Sequence, residues 1–318
     1  MAGNNKAILA ALAGNAAIAA TKFVAAAITG SASMASEGVH SLVDTINQVL
    51  LLYGKRRAAR RPDKLHPFGY GRELYFWTFV VAIMVFALGA LVSIYQGVTH
   101  ILAPEHVQKP LVNYVVLGFS LLFEGLSWRI GFRQFHASLR PGQRPWQALW
   151  TNKDLSLLAV LIEDSAAIIG LVIATIGLAL SQWLDMPELD GVASLLIGLL
   201  LAFAAYALGS RSRDLLVGEA ADPQLVDELL AVAAEDPAIV HANGVLTTYL
   251  GPEQMSVALS AEFRDDLSTP DIEQAIERME DRLRERYPAV LVIFVKPQTP
   301  ETWARRIRDR MGRPDAMA

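Results

Sequence analysis

Six long, almost uncharged runs of apolar residues constrain this chain more than any other feature. They lie at approximately 7–29, 34–54, 74–101, 111–133, 155–181 and 189–209. A helix rises 1.5 Å per residue, so about 20 apolar residues cross the ~30 Å hydrocarbon core of a bilayer. Turn formers separate the runs: Gly30 and Ser31, Pro62 and Pro67, Pro104 and Pro110, Pro141 and Pro145, then Pro187. The first run is too long for a cleavable signal and leads into further spans, so it reads as a transmembrane helix. Composition agrees. Of 318 residues 53% are hydrophobic and 19% charged, and average soluble domains carry about 25% charged residues.

Basic residues between the spans set the orientation, because they stay on the cytoplasmic side. Lys55, Arg56, Arg57, Arg60, Arg61, Lys64 and Arg72 follow the second run. Arg133, Arg140, Arg144 and Lys153 follow the fourth, and Arg211 and Arg213 the sixth. The other three connections hold Lys109 alone. Both termini are expected in the cytosol, with a transmembrane domain over 1–210.

Beyond residue 210 the apolar runs shorten and the charge density rises. Pro223–Glu235 reads as an amphipathic helix. Val245–Tyr249 and Met255–Phe263 read as strands around a Gly251-Pro252 turn, the second with Val257, Leu259, Ala261 and Phe263 on one face. Pro270–Tyr287 is a second helix, capped by Ser268 or Thr269, and Val290–Val295 a third strand. The expected fold is therefore an all-α six-helix transmembrane domain with a small cytosolic α+β domain (α-β-β-α-β) over 211–298. A basic tail over 299–318 is a candidate surface helix.

Ionisable residues inside a span cost several kcal/mol or more and default to function. The second run holds Glu37, His40 and Asp44, with Asn47 and Gln48 beyond. Spacings of three and four put them on one helix face. The fifth run holds the adjacent Glu163 and Asp164, and the fourth holds Glu124. Neighbours on a helix point about 100° apart, so Glu163 and Asp164 need not face the same partner. Carboxylates there must be protonated or neutralised by a cation. No cysteine is present, which excludes disulfides and thiolate sites. Imidazole with carboxylate suits zinc and similar divalent metals. Lys22 in the first run either snorkels outward or pairs with an acid such as Glu37. Asp190 reads as a cap on the sixth helix. His100 and His106 read as solvated residues of an external loop.

The run Ser33-Met34-Ala35-Ser36-Glu37-Gly38-Val39-His40-Ser41-Leu42-Val43-Asp44 resembles the cation diffusion facilitator family. So does His66-Pro67-Phe68-Gly69-Tyr70-Gly71-Arg72 before the third run. The resemblance covers nearly the whole chain. It implies a homodimer, a ferredoxin-like cytosolic domain, and export of Zn²⁺, or of Mn²⁺, Fe²⁺, Co²⁺ or Cd²⁺, in exchange for protons. It also implies a transport site between the second and fifth helices. His40, Asp44 and Asp164 match its ligand positions, and Val160 stands at the fourth, where it cannot ligate. Glu163 or a water would complete the set, with Glu37 and Glu124 as proton-coupling or supporting groups. Glu163-Asp164 with Glu124 resembles the branch that includes the animal mitochondrial zinc exporter.

The resemblance implies a weak loop metal site at Asp63 and His66, where Tyr70 replaces a second His. In the tail His241 matches a metal-bridging position, but Ser260, Phe294 and Lys296 occupy others. Dimerisation is then expected to rest on sheet and helix packing.

The expected function is Zn²⁺/H⁺ antiport by alternating access. The metal and protons are substrates, lipid surrounds the chain, and neither a resident cofactor, a nucleic-acid partner nor an enzymatic activity is expected. The runner-up is a non-transporting metal-sensing or partner subunit, which Val160 would suit. An intramembrane hydrolase lacks a Ser-His or Asp-Asp constellation. Ala-rich composition and the lack of a targeting segment suggest a bacterial inner membrane.

Overall fold

The computed structural model describes the backbone of residues 2–139, 144, 145, 148 and 152–311. Arg140 and Pro141, assigned above to the turn after the fourth span, lie outside the described residues, as does the end of the tail beyond 311. The chain forms two compact units. The first comprises residues 1–60 and 73–213; the second comprises 61–72 and 214–318.

The first unit is helical: α1 (Ala2–Thr29), α2 (Ala32–Ala58), α3 (Glu73–Leu102), α4 (Pro110–Ala137), α5 (Leu155–Trp183) and α6 (Glu188–Val217), whose last turn runs into the second unit. Five of these are long and apolar enough to cross a membrane. The exception is α2, which has the length at 27 residues. Its stripe of Glu37, His40, Asp44 and Asn47 and its basic last turn lower its hydropathy. Large apolar side chains such as Leu111, Phe119, Phe203 and Tyr206 are exposed on the outside of the unit. Such a surface is unfavourable in water and suits lipid.

Small residues let the helices approach closely, as in membrane bundles generally. A Cβ on Gly97 of α3 would lie 2.6 Å from the Leu195 backbone nitrogen of α6. One on Gly177 of α5 would lie 2.4 Å from Ala193 of the same helix α6. A π-helical stretch, Val85–Ala90, interrupts α3.

The second unit contains α7 (Pro223–Ala234), β1 (Ile239–Gly251), β2 (Gln254–Phe263), α8 (Thr269–Arg286), β3 (Val290–Pro297) and α9 (Pro300–Met311). The sheet order is β1-β2-β3, antiparallel between β1 and β2 and parallel between β2 and β3. A parallel pair requires a crossover, which α8 supplies. Val257, Leu259, Ala261 and Phe263 are all buried, as the alternation in β2 requires. Ala261 and Phe263 pack with Ala238 and with Ala275 of α8.

Strand β1 begins six residues before the expected Val245. Irregularities between Ile239 and His241 and between Ala242 and Gly244 break its alternation, so the early half carries no period-two signal. Ser268 caps α8, and its backbone N–H donates to Asp271 at 2.9 Å. The segment 61–72 packs on the sheet. Arg72 donates to Thr248 Oγ1 (3.3 Å), and a Cβ on Gly71 would collide with the Leu250 carbonyl at 2.3 Å. Only glycine fits there.

Candidate metal site

Helix α2 carries the densest set of buried polar groups, and its position is fixed at its first turn. Ser31 caps it, its hydroxyl accepting from the Met34 N–H at 3.2 Å. The carboxylate of Asp190, fully buried in α6, accepts from the N–H groups of Ala32 and Ser33 and from the hydroxyls of Ser31 and Ser33. Asp190 is therefore a cap, but for α2 rather than for its own helix. The unpaired N–H groups of a helix start attract any carboxylate that packing brings near. One turn further on, Ser36 bonds to Ser194 of α6 (2.6 Å) and to Gln96 of α3 (3.1 Å).

Lys22 and Glu37 come next. Lys22 Nζ donates to Glu37 Oε2 at 3.0 Å and to Ser41 Oγ at 2.8 Å, and neither charged side chain reaches solvent. Pairing with Glu37, not snorkelling, is what this lysine does. The other carboxylate oxygen, Glu37 Oε1, has no hydrogen-bond partner among the described residues and points at α5: a Cβ on Gly170 would lie 2.5 Å from it.

His40 is buried, and among the described residues neither ring nitrogen has a hydrogen-bond partner. Its Nδ1 lies 3.5 Å from Asp44 Oδ1, one turn on along the same face. Asp44 lines a small cavity with Asn15, Ile18, Ser41, Gln48, Glu124, Ser127, Val160, Glu163 and Asp164. Its volume is about 20 Å³, and a space of ~10–15 Å³ holds one water-sized sphere. Three helices, α2, α4 and α5, thus bring Asp44, Glu124, Glu163 and Asp164 to one small space, which α1 closes with Asn15 and Ile18. His40 stands beside it and Glu37 lies outside it.

The two adjacent acids of α5 diverge as a 100° rotation requires. Glu163 Oε1 accepts from Asn47 Nδ2 of α2 at 2.9 Å. Asp164 Oδ2 accepts from Ser127 Oγ of α4 at 2.8 Å. Trp128 of α4 also donates to Ser165 (3.0 Å). Among the described residues, no three His, Asp or Glu side chains already converge on a point that would hold a metal. The acids surround a common space, and Glu163 and Asp164 are each hydrogen-bonded to a neighbouring helix. Ser127 was not singled out from the sequence. Its signal is its place three residues after Glu124, on the same face of α4.

The loop pair behaves differently. Asp63 Oδ2 accepts from Tyr70 OH at 2.6 Å, and Oδ1 from the His66 and Leu65 N–H groups at 2.8 and 2.9 Å. The Tyr70 hydroxyl and these amides hold its carboxyl down at about 2. His66 Nδ1 lies 3.5 Å from Asp63 Oδ1, and its ring packs on Tyr70. Both Asp63 oxygens are engaged in shaping this loop. In the sheet, Ser260 Oγ accepts from Asn243 (3.1 Å) and Gln298 (2.7 Å), and Phe294 packs edge-on to Phe68. His106 lies 3.5 Å from Asp185, whereas His100 sits in the last turn of α3 rather than on a loop, its Nε2 buried.

Residues 8–217 match the family model described as the cation efflux transmembrane domain. The chain is 32% identical over 264 residues to the proton-coupled zinc antiporter SLC30A9, mitochondrial, of Xenopus laevis, covering 83% of this chain and 47% of that protein. It is 30% identical over 267 residues to the human protein of the same name, covering 82% and 47%. Metal tolerance protein C4 of Arabidopsis thaliana is 30% identical over 233 residues, covering 73% and 51%. The chain spans about half the length of these curated relatives.

Proposed function

The chain belongs to the cation efflux family, and on that premise we propose that it exchanges a divalent transition metal, Zn²⁺ first among them, for protons across a membrane. The observation that carries this reading is the small cavity between α1, α2, α4 and α5. Four carboxylates line it, and no Lys or Arg does among the described residues. In a membrane such a space needs protons or a cation to balance it. The names of the relatives, two zinc antiporters and a metal tolerance protein, support a metal as that cation.

On this reading α2 is a sixth span, both ends of the chain are cytosolic, and the second unit is a cytosolic ferredoxin-like domain of a homodimer. His40, Asp44 and Asp164 hold the metal, and Glu163 supplies the oxygen that Val160 cannot. Binding needs deprotonated ligands, so loading the metal releases protons. Reprotonation from the opposite side discharges it. Glu124, on the same cavity, is a further proton carrier.

The test is metal uptake into proteoliposomes with a pH-sensitive dye inside, comparing Zn²⁺, Mn²⁺, Fe²⁺ and Co²⁺. Metal flux with opposing proton flux, lost in Asp44→Ala and in Asp164→Ala, is the expected result. No flux with any metal, from folded dimeric protein, would favour a partner subunit, the role that a cavity wall formed by Val160 also suits.

A further inference from the structure

The cavity has a defined position along the bundle, and what lies next to it on one side is specific. On α1, Asn15 and Ile18 line the cavity, and Lys22 stands one turn further toward the C-terminal end. On α2, Ser41 and Asp44 line it, and Glu37 stands one turn beyond Ser41 toward the N-terminal end. On α5, Val160, Glu163 and Asp164 line it, and Gly170 stands further toward the C-terminal end. The contacts Lys22–Glu37 and Glu37–Gly170 show that these three departures meet in one layer. Ser41 belongs to both levels: it lines the cavity and accepts from Lys22. The next layer along the path is therefore closed by an ion pair and not by apolar side chains.

The donor set of that layer is that of a cation site. Glu37 offers two carboxylate oxygens and Ser41 a hydroxyl oxygen, and His40 lies between them along α2. Lys22 Nζ bonds one oxygen of Glu37 and the oxygen of Ser41. Among the described residues, Glu37 Oε1, His40 Nδ1 and His40 Nε2 find no hydrogen-bond partner. Glu37 is fully buried and His40 is 2% exposed. A carboxylate and an imidazole with open lone pairs, away from water, can ligate a metal ion.

We propose that Glu37 and Ser41 form a second metal station, joined by His40 only when no metal occupies the cavity, at which the Lys22 ammonium is a tethered stand-in for the travelling divalent cation. The metal leaves the acids of the cavity by taking the place of Lys22 on Glu37. The lysine holds that carboxylate neutralised whenever no metal is there. One bound metal and one lysine thus share two anionic stations, so the native chain holds a single metal at a time. The missing side chain at Gly170 gives the Glu37 carboxylate its room.

This inference rests on the transport-site reading, and one measurement separates the two. Purified full-length protein in detergent is dialysed against Zn²⁺ alone, and bound metal is counted per chain by elemental analysis. The native chain is expected to bind one equivalent that Asp44→Asn removes. Lys22→Met, which keeps the length and removes the charge, is expected to bind a second equivalent. Lys22→Met/Glu37→Gln returns the count to one, and Lys22→Arg stays at one. Lys22→Gln serves as a second neutral variant should Lys22→Met fail to fold. A folded neutral variant that binds no more than the native chain would overturn the proposal. So would a second equivalent that survives Glu37→Gln. A native chain with no equivalent sensitive to Asp44→Asn would sink the first site instead, and the Lys22-dependent equivalent is still read separately.

Discussion

Asn47 of α2 donates a hydrogen bond to Glu163 of α5 across 2.9 Å, both side chains being buried. This bond links the two helices at the depth of the cavity and fixes which way the Glu163 carboxylate faces. Removing a group that orients a metal ligand typically costs about 10–100-fold in affinity or activity. Asn47→Leu should raise the KM for metal by about tenfold while the protein stays folded. Transport measured over a range of Zn²⁺ concentrations checks this, and an unchanged KM would mean that Glu163 is not a ligand.

Asp190 decides where α2 begins. Its carboxylate receives two backbone N–H groups and two serine hydroxyls, all buried. Stranding a buried donor costs about 1–3 kcal/mol. Asp190→Ala should therefore lower the thermal unfolding midpoint in detergent by several degrees, and Asp190→Asn, which keeps an acceptor oxygen, by less. Equal midpoints in all three proteins would show that these contacts contribute little.

Gly170 tests the space around Glu37 by sterics alone. A Cβ there would sit 2.5 Å from Glu37 Oε1, inside the distance that nonbonded atoms tolerate. Gly170→Ala should displace the carboxylate and cut transport sharply. Gly118→Ala in α4, where nothing lies within 4 Å, is the matched control. Alanine favours a helix by about 1 kcal/mol over glycine, so the control should be as stable as the native protein or slightly more so. Flux and melting of the two variants side by side give the answer.

Asp236 sets a pH dependence in the second unit. Burial pushes its carboxyl up, but hydrogen bonds from Arg278 and the Ala238 N–H, with the charges of Arg278 and Arg282, outweigh this and leave it below the ordinary carboxylate range. Its folded pKa is therefore lower than its unfolded value of about 3.9. The stabilisation is complete above the unfolded value and is lost as pH falls through the folded one. The denaturant midpoint of the second unit's unfolding should fall on acidification below about pH 4, and Asp236→Asn should remove that increment. An equal acid response in both proteins would exclude Asp236 as its source.

The metal-site candidates were legible because membranes punish charge. In a soluble helix the spacing of Glu37, His40 and Asp44 would mark only a wet face. Inside an apolar run the same spacing marks a stripe turned toward other helices. The divergence of Glu163 and Asp164 followed from helix geometry, but their partners, Asn47 and Ser127, did not. Which hydroxyl or amide meets which acid depends on helix rotation and depth, and no local pattern records either.

The sequence by itself determined the long apolar helices, the polar face of α2, the alternation that buries one side of β2, and the cap that starts α8. Each is written in residues a few positions apart, because helix and strand periods, and the cost of charge in lipid, act over that range. Tertiary structure alone decided that Asp190 caps α2 instead of its own helix, that Lys22 meets Glu37 and Ser41, that α1, α2, α4 and α5 enclose a cavity, and that β1 extends back to Ile239. Those pairings join residues up to 159 positions apart. They are settled by which helices touch and how each is turned, and that depends on the packing of the whole unit.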